Sequence, residues 1–566
     1  MRIPLSALSL ACCLTAAAQA QAVHYVDAQL TTGAGDGSSW SDAFQGPLGL
    51  QAALAQIAST RIVYVADGTY FATDDLDPSK SFDIPPGAQV FGGFLGDEPN
   101  PFFRRPFGQA PTILSGDLLQ NDGLGHSNMA DNTQRIVRVL EDGFATRLDG
   151  FTIRGGRAVS GGGLYVEAAL TAANCRFEGC FADDRGGAAF CFEGDLNLED
   201  SVFTGNLVSF IGGGAVSYYR AQGLVNRCVF EGNRVNIQGG AILSEASDLL
   251  VSNSVFSGNR GSLGAAIYAE HLVSNPPSSS LTVVASTFFG NQVDDPAQSV
   301  VGVFDPANAI VSISRSIFWG NDYDLILGRD VSLGIEVSDS IVESGHPGTG
   351  ISQSDPLFRD AGQGDFYPLP GSPAIDATDI APLSAQVRYA DVSGKRRSVD
   401  DPQTMNTGPG FMDLGAFETT TAIGGALPNC TSPPNSTGAM GLVDAYGSAS
   451  IAVNSLTLAA RNLPTNAFGF FIIGRTPGFI PNPGGQPGNL CLTTLIGRIV
   501  GPGQVVNSGS AGAYSVALDV TDIPQGPFFV AGQPGDTWYF QSWHRDIGAF
   551  GPSSQFTDLA SFTLLP

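Results

Sequence analysis

The sequence predicts an all-β protein: a right-handed parallel β-helix (a solenoid) followed by a C-terminal β-sandwich. Three observations predict it. First, from about residue 150 to 345 one pattern returns: a small residue, Phe two positions later, then Gly-Asn after one more residue. Second, a glycine cluster recurs between copies. Third, the last part of the chain changes to alternating strands separated by Gly and Pro, with no repeat.

The repeat reads Ser201-Val202-Phe203-Thr204-Gly205-Asn206 and Cys228-Val229-Phe230-Glu231-Gly232-Asn233, and recurs at 254–259, 286–291 and 316–321. A variant copy runs from Cys175 to Cys180, and another is expected around Phe151. The steps between Phe151, Phe177, Phe203, Phe230, Phe256, Phe288 and Phe318 are 26, 26, 27, 26, 32 and 30 residues. Such a period belongs to stacked supersecondary units. Counted back from each Asn, Leu196, Leu249, Leu281 and Val311 stand ten residues earlier, and Leu198, Val225, Val251, Val283 and Ile313 eight earlier. This alternation marks short strands with one face buried. The clusters Gly161-Gly162-Gly163, Gly186-Gly187-Ala188, Gly212-Gly213-Gly214, Gly239-Gly240 and Gly264-Ala265 mark bends where coils pass closely. Like residues should stack about 4.8 Å apart, with Phe as core and Asn as an amide ladder.

Residues 1–22 are expected to be a secretory signal, with Arg2 followed by an apolar stretch and Ala-x-Ala cleavage sites at Ala18-Gln19-Ala20 and Ala20-Gln21-Ala22. A secreted or cell-surface location follows. No later run of about 20 apolar residues predicts a transmembrane helix. Net charge is −26 with only two lysines, Lys80 and Lys395, which argues against nucleic-acid binding. Extracellular polysaccharide or cell-envelope components are the expected partners. The sequence does not set the oligomeric state.

Residues 23–150 should cap the solenoid and form its first coils. Leu50, Ala53, Leu54, Ile57 and Ala58 lie at helical spacing, as for a capping helix. Ile62–Ala66 and Gln89–Phe94 read as strands. The β-helix is expected over 151–418, closed by a module at 355–418. A linker over 419–435 then leads to a sandwich over 436–566, with strands at Ser450–Ala459, Phe468–Ile473, Tyr514–Val520 and Thr537–Trp543.

Of the six cysteines beyond residue 22, Cys175 and Cys228 share the small-residue column and read as buried apolar groups. Cys180 and Cys191 are compatible with pairing or with free thiols. Cys430 and Cys491, alone in the last region, are expected to form a disulfide.

His24-Tyr25-Val26-Asp27, Asp36-Gly37-Ser38-Ser39-Trp40, Val65-Ala66-Asp67-Gly68-Thr69-Tyr70 and Phe91-Gly92-Gly93-Phe94 resemble the opening of large bacterial secreted β-helix proteins, which are similar to pectate-lyase-like folds and polymorphic outer-membrane-type adhesins. Asp355-Pro356-Leu357-Phe358, Gly364-Asp365-Phe366, Pro370-Gly371-Ser372-Pro373-Ala374-Ile375-Asp376 and Asp413-Leu414-Gly415-Ala416-Phe417-Glu418 are similar to a module named choice-of-anchor Q. That resemblance implies a closed β-helix, export and surface display. Trp538–Asp546 resembles C-terminal domains on exported proteins of the same kind of bacteria.

For chemistry, pectate-lyase-like enzymes need an Arg or Lys base and usually carboxylates holding Ca²⁺. Polygalacturonase-like enzymes need clustered Asp with Gly-His-Gly. The chain has no Gly-His-Gly, and neither lysine lies in the regular coils. The best candidate set for catalysis is Asp183 and Asp184 beside Arg185, with Arg234 and Arg260 on following coils, and Asp183 and Asp184 are the candidate Ca²⁺ ligands. Asp294-Asp295 is a second acidic pair. His126, His271, His346 and His544 are too scattered to form a metal pair, and Trp538 with Trp543 is a candidate sugar platform. Two readings stand: a non-enzymatic surface or adhesin-like protein, and a polysaccharide lyase or glycoside hydrolase acting on an acidic extracellular polysaccharide. Only the second calls for a cofactor, Ca²⁺. A groove along one sheet, with carboxylates and Arg converging from neighbouring coils, would separate them.

Overall fold

The computed structural model describes residues 23–57, 62–98, 108–141, 146–270, 279–295, 299–304, 310–324, 335–379, 387, 390–395, 397, 412–419, 425–426, 430, 432–548 and 551–566. The expected signal segment, Ala58, His271 and much of the expected linker lie outside these residues.

The chain winds as a right-handed β-helix; among the described residues its parallel sheets hold 22, 8 and 6 strands. One coil shows the circuit. Phe181–Arg185 lies in the six-stranded sheet and Ala189–Phe192 in the eight-stranded sheet. Asp195–Glu199 and Val202–Thr204 both lie in the largest sheet. Each strand pairs with its equivalent one coil on, as Leu198 with Val225 and Phe203 with Phe230.

The columns form the interior. From Phe177 to Phe318 successive rings stack face to face, with centroids 4.4–4.8 Å apart and planes within 6°. These rings are fully buried. Offset or edge-on contacts are the usual aromatic preference, but the coil repeat imposes stacking at the strand spacing. The small-residue column is buried too. Ser254 Oγ accepts the Cys228 N–H at 3.1 Å and donates to the Ser252 carbonyl at 2.7 Å, so each hydroxyl closes a bond between coils. Cys175, Cys180, Cys191 and Cys228 are buried and not joined in disulfides; burial pushes the thiols of Cys180 and Cys191 up to about 12. At the glycine bends, a Cβ on Gly186 would lie 2.1 Å from the Ala189 carbonyl oxygen, and its φ is +60°. Only glycine fits there.

Three expectations are corrected. Phe151 is not in the Phe column: Ile153 stands against Phe177, while Phe151 pairs with Thr112, because the Phe of this copy is offset by two residues from the column. The capping helix is only Gly49–Leu54; Leu50, Ala53 and Leu54 enter the core and Ile57 packs beside it from the following turn. The strand expected at Ser450 starts at Leu456, since Ser450–Asn454 turns back on itself through Ser450 carbonyl bonds.

Val23–Asp27, Ile62–Ala66, Gln89–Phe94 and Arg147–Asp149 stack in parallel as the first coils. The described parts of 355–419 lie over outer residues of later coils: Phe366 and Ala416 pack on Val255, and Ala374 and Leu414 on Ile317. The C-terminal region is antiparallel, with a seven-stranded and a three-stranded sheet around Leu458, Phe471, Trp538 and Phe540. Cys430 and Cys491 are joined there by a disulfide, Cα atoms 5.8 Å apart.

Candidate functional site

The repeat places one set of side chains outward along the eight-stranded sheet. In strand register they are Phe192, Tyr219, Glu245, Glu270 and Phe304. Where the chain leaves the six-stranded sheet and bends towards this one, a second file runs alongside: Arg185, Gly212, Gln238 and Leu263, each bridged to the next. The two files face each other across the corner between the sheets.

Arg185 spans this corner. Its Nε donates to Glu245 Oε2 at 2.6 Å and its Nη2 to Glu245 Oε1 at 3.0 Å, while Nη1 holds Asp184. This two-point geometry suits a planar guanidinium. The hydrogen bond to Glu245 holds the Arg185 guanidinium protonated beyond its ordinary range. One coil on, Gln238 Nε2 donates to Glu270 Oε2 at 3.1 Å. Burial, then the neighbouring Glu245, pushes the Glu270 carboxyl above its usual range. The Phe192 and Tyr219 rings stack at 5.4 Å and 2°, and the Arg220 guanidinium lies 5.3 Å from the Tyr219 centroid. Tyr165 continues the aromatic surface, with Arg135 3.8 Å over its ring and its hydroxyl donating to Glu167.

The residues singled out from sequence fall into two places. Asp184 belongs to the corner. Asp183 is exposed, and its carbonyl accepts from Ser209. Arg234 and Arg260 pair in register on the outer face of the six-stranded sheet, where Arg260 forms an ion pair with Asp294. The structure does not bring all four into one cleft. Trp538 is fully buried in the sandwich core under Arg475, and Trp543 packs on Phe470, so the two do not form one platform. His126 packs near Phe181, His346 bonds the Pro347 carbonyl and His544 is buried in the sandwich. No group of three or more His, Cys, Asp or Glu among the described residues could hold a metal ion.

The sequence alone does not single out Glu245, Glu270, Gln238 or Tyr219. A signal existed: Ile242-Leu243-Ser244-Glu245 and Ile267-Tyr268-Ala269-Glu270 place Glu three residues after Ile in consecutive coils. A polar residue repeated only twice is a surface feature, unlike the Asn repeated in every coil.

The corner offers hydroxyl-binding acceptors beside aromatic faces. The guanidinium of Arg185, which spans it, is engaged by two carboxylates, Asp184 and Glu245.

A family model described as a right handed beta helix region matches residues 146–354. No curated protein matches the chain in sequence. Among solved structures, the chain is similar to the enzymatically active domain of bacteriophage CBA120 tailspike protein 2. The identity is 11%, covering 88% of this chain and 69% of that one, with a TM-score of 0.16. At that score nothing is carried over from it. No helix among the described residues is long and apolar enough to cross a membrane.

Proposed function

We propose that this chain is an exported, non-enzymatic surface or adhesin-like β-helix protein, and that its binding face is the corner between the eight-stranded and six-stranded sheets. One observation supports this above the rest: aromatic rings, carboxylates and a spanning guanidinium rise from successive coils at the strand repeat, in a line that suits an extended polymer. Sugar rings stack on Tyr219 and Phe192, and their hydroxyls donate to the half-buried Glu270, while Glu245 is closed by Arg185 and holds that guanidinium in place. A chain of net charge −26 repels polyanions, so the ligand class is a neutral polysaccharide. The resemblance of 355–418 to an anchor-type module supports surface display.

The second reading, a lyase or hydrolase, is favoured by one observation: Glu245 and Glu270 stand in register, one paired to Arg185 and the other pushed towards its neutral form. Pairs so divided can share acid and base roles.

One experiment separates these. The purified protein is incubated with neutral glucans and mannans, and with polygalacturonate and alginate with and without Ca²⁺. Retention on the polymer, new reducing ends and unsaturated products are followed. Retention on a neutral polymer, weakened about tenfold or more by Tyr219→Ala through loss of stacking, with no cleavage, is the expected result. Cleavage abolished by Glu270→Gln establishes the enzyme instead. Retention untouched by Tyr219→Ala removes the corner as the binding face.

A further inference from the structure

We infer that the C-terminal sandwich docks on a lipid surface without net charge. The hairpin of Ile523–Gln525 and Phe528–Val530 enters the interface, carrying Phe528 and Phe529 with Leu495 beside them. This goes beyond the polysaccharide reading and does not depend on it.

The hairpin is a finger on a fixed base. Its strands pair Ile523 with Val530, Pro524 with Phe529 and Gln525 with Phe528, so the turn is Gly526-Pro527. At the base Ile523 is fully buried in the sandwich core and Val530 packs against that core. The Gly532 N–H donates to the Val520 carbonyl at 2.9 Å and closes the stem. Pro524 is buried where the hairpin passes Gly497; a Cβ on Gly497 would lie 1.9 Å from the Pro524 carbonyl oxygen. Only glycine permits that approach.

The tip is the opposite of its base. Phe528 and Phe529 are 67% and 64% exposed. As consecutive strand residues they point to opposite faces, so no single flat partner covers both. Leu495, 56% exposed, lies against the turn: a Cβ on Gly526 would meet its Cδ2 at 3.2 Å. Leu495 holds φ +53°, a backbone shape that is uncommon for a bulky residue. Apolar groups gathered in this way on a surface mark a contact site.

Charge selects the occupant. The chain is 14% charged residues with net charge −26, yet Thr476 to Leu518 carries a single charged side chain, Arg498, and Ile523 to Gly535 carries none. Acidic residues return around the stem as Asp519, Asp522 and Asp536, the last paired with Arg475. Such a tip gains nothing from anionic headgroups, and the molecule as a whole is repelled by them. It suits a zwitterionic interface, where apolar side chains reach the acyl boundary. A second copy fits less well, since two chains of this charge repel each other. A sugar chain needs several hydrogen-bonding groups among the rings. Here the neighbours of the two rings are Pro527, Val530 and, across the hairpin, Pro524 and Gln525. A lipid interface surrounds an inserted finger and so accepts apolar groups on both of its faces.

Co-sedimentation of the full chain with sucrose-loaded vesicles tests this. Vesicles of phosphatidylcholine alone should retain the protein, undiminished between about 0.1 M and about 1 M NaCl, because no ion pair is made. Replacing about a third of the lipid by phosphatidylglycerol should weaken retention at the lower salt. Phe528→Ser combined with Phe529→Ser should cut the partition coefficient at least about tenfold. Phe210→Ser, at an exposed Phe of the coils, should leave it unchanged. Leu495→Asn, which suits the left-handed backbone, should weaken retention about threefold or more, and it decides the matter should the double variant not fold. Absence of retention on phosphatidylcholine overturns the proposal. So does retention that the double variant leaves intact. Dimers in sedimentation velocity that the double variant abolishes would assign the tip to a second copy instead, and retention on neutral glucans that it abolishes would assign the tip to sugar.

Discussion

Asn233 and Asn259 are joined twice through one atom. The Oδ1 of Asn259 accepts the side-chain amide of Asn233 at 3.0 Å and the backbone N–H of Asn233 at 3.0 Å. The Asn259 amide in turn donates to Asn291 Oδ1 at 3.0 Å and to the Phe230 carbonyl at 2.9 Å. The same four bonds recur at Asn233 and Asn291. Each buried amide therefore serves three coils and leaves no polar atom idle.

Asn259→Ala should consequently cost far more than a surface change. It strands the Asn233 donors and the Phe230 carbonyl in a dry interior, at about 1–3 kcal/mol for each unsatisfied group. A total of about 3–5 kcal/mol is expected from urea unfolding of the full chain. A loss below about 1 kcal/mol would mean that water repairs the ladder.

In the sandwich, Cys430 and Cys491 close a loop spanning 61 residues of sequence separation. Tying a loop of this length removes unfolded-state entropy worth about 4 kcal/mol. Reduction, or Cys491→Ser, should lower the unfolding midpoint of peptides 442–563 and leave those of 150–345 unchanged. Peptide mapping without reductant should recover the two cysteines linked; both alkylated would refute the bond.

The solenoid was legible because its signals repeat: a buried Phe, Ser or Asn column is written once per coil. What the sequence hid follows from the same logic. The corner before each Ser column holds a left-handed residue, but it is Asn174, Asp200, Arg227, Asn253, Ala285 and Arg315, with φ between +49° and +55°. No single residue type marks it, since packing rather than glycine enforces the turn. Arg397 reads as one of three basic residues in a loop, and its bond to Asn253 spans 144 positions. The corner site is half legible: the acidic pair Asp183-Asp184 marks Asp184, whereas Glu245 and Glu270 stand singly in the sequence, with nothing local to show that Arg185 and Gln238 meet them from earlier coils.

His544 carries the last prediction. It is fully buried between strand neighbours Gly469 and Gln555, and neither ring nitrogen has a hydrogen-bond partner. Burial lowers its imidazole to about 4, against an upward pull from Asp546 two residues on. The unfolded chain, with an ordinary imidazole near 6.5, binds the proton more readily than the folded sandwich does. Stability from this group is therefore complete above pH 6.5 and drains away as pH falls towards about 4, by about 3 kcal/mol in all. Acid therefore loosens the sandwich through this group. Urea midpoints of peptides spanning 537–548, read by hydrogen exchange at pH 7 and pH 4.5, should fall in the wild type. They should fall much less in His544→Gln, which cannot titrate. An equal fall in both proteins would assign the acid sensitivity to other groups and leave His544 as a neutral filler of the core.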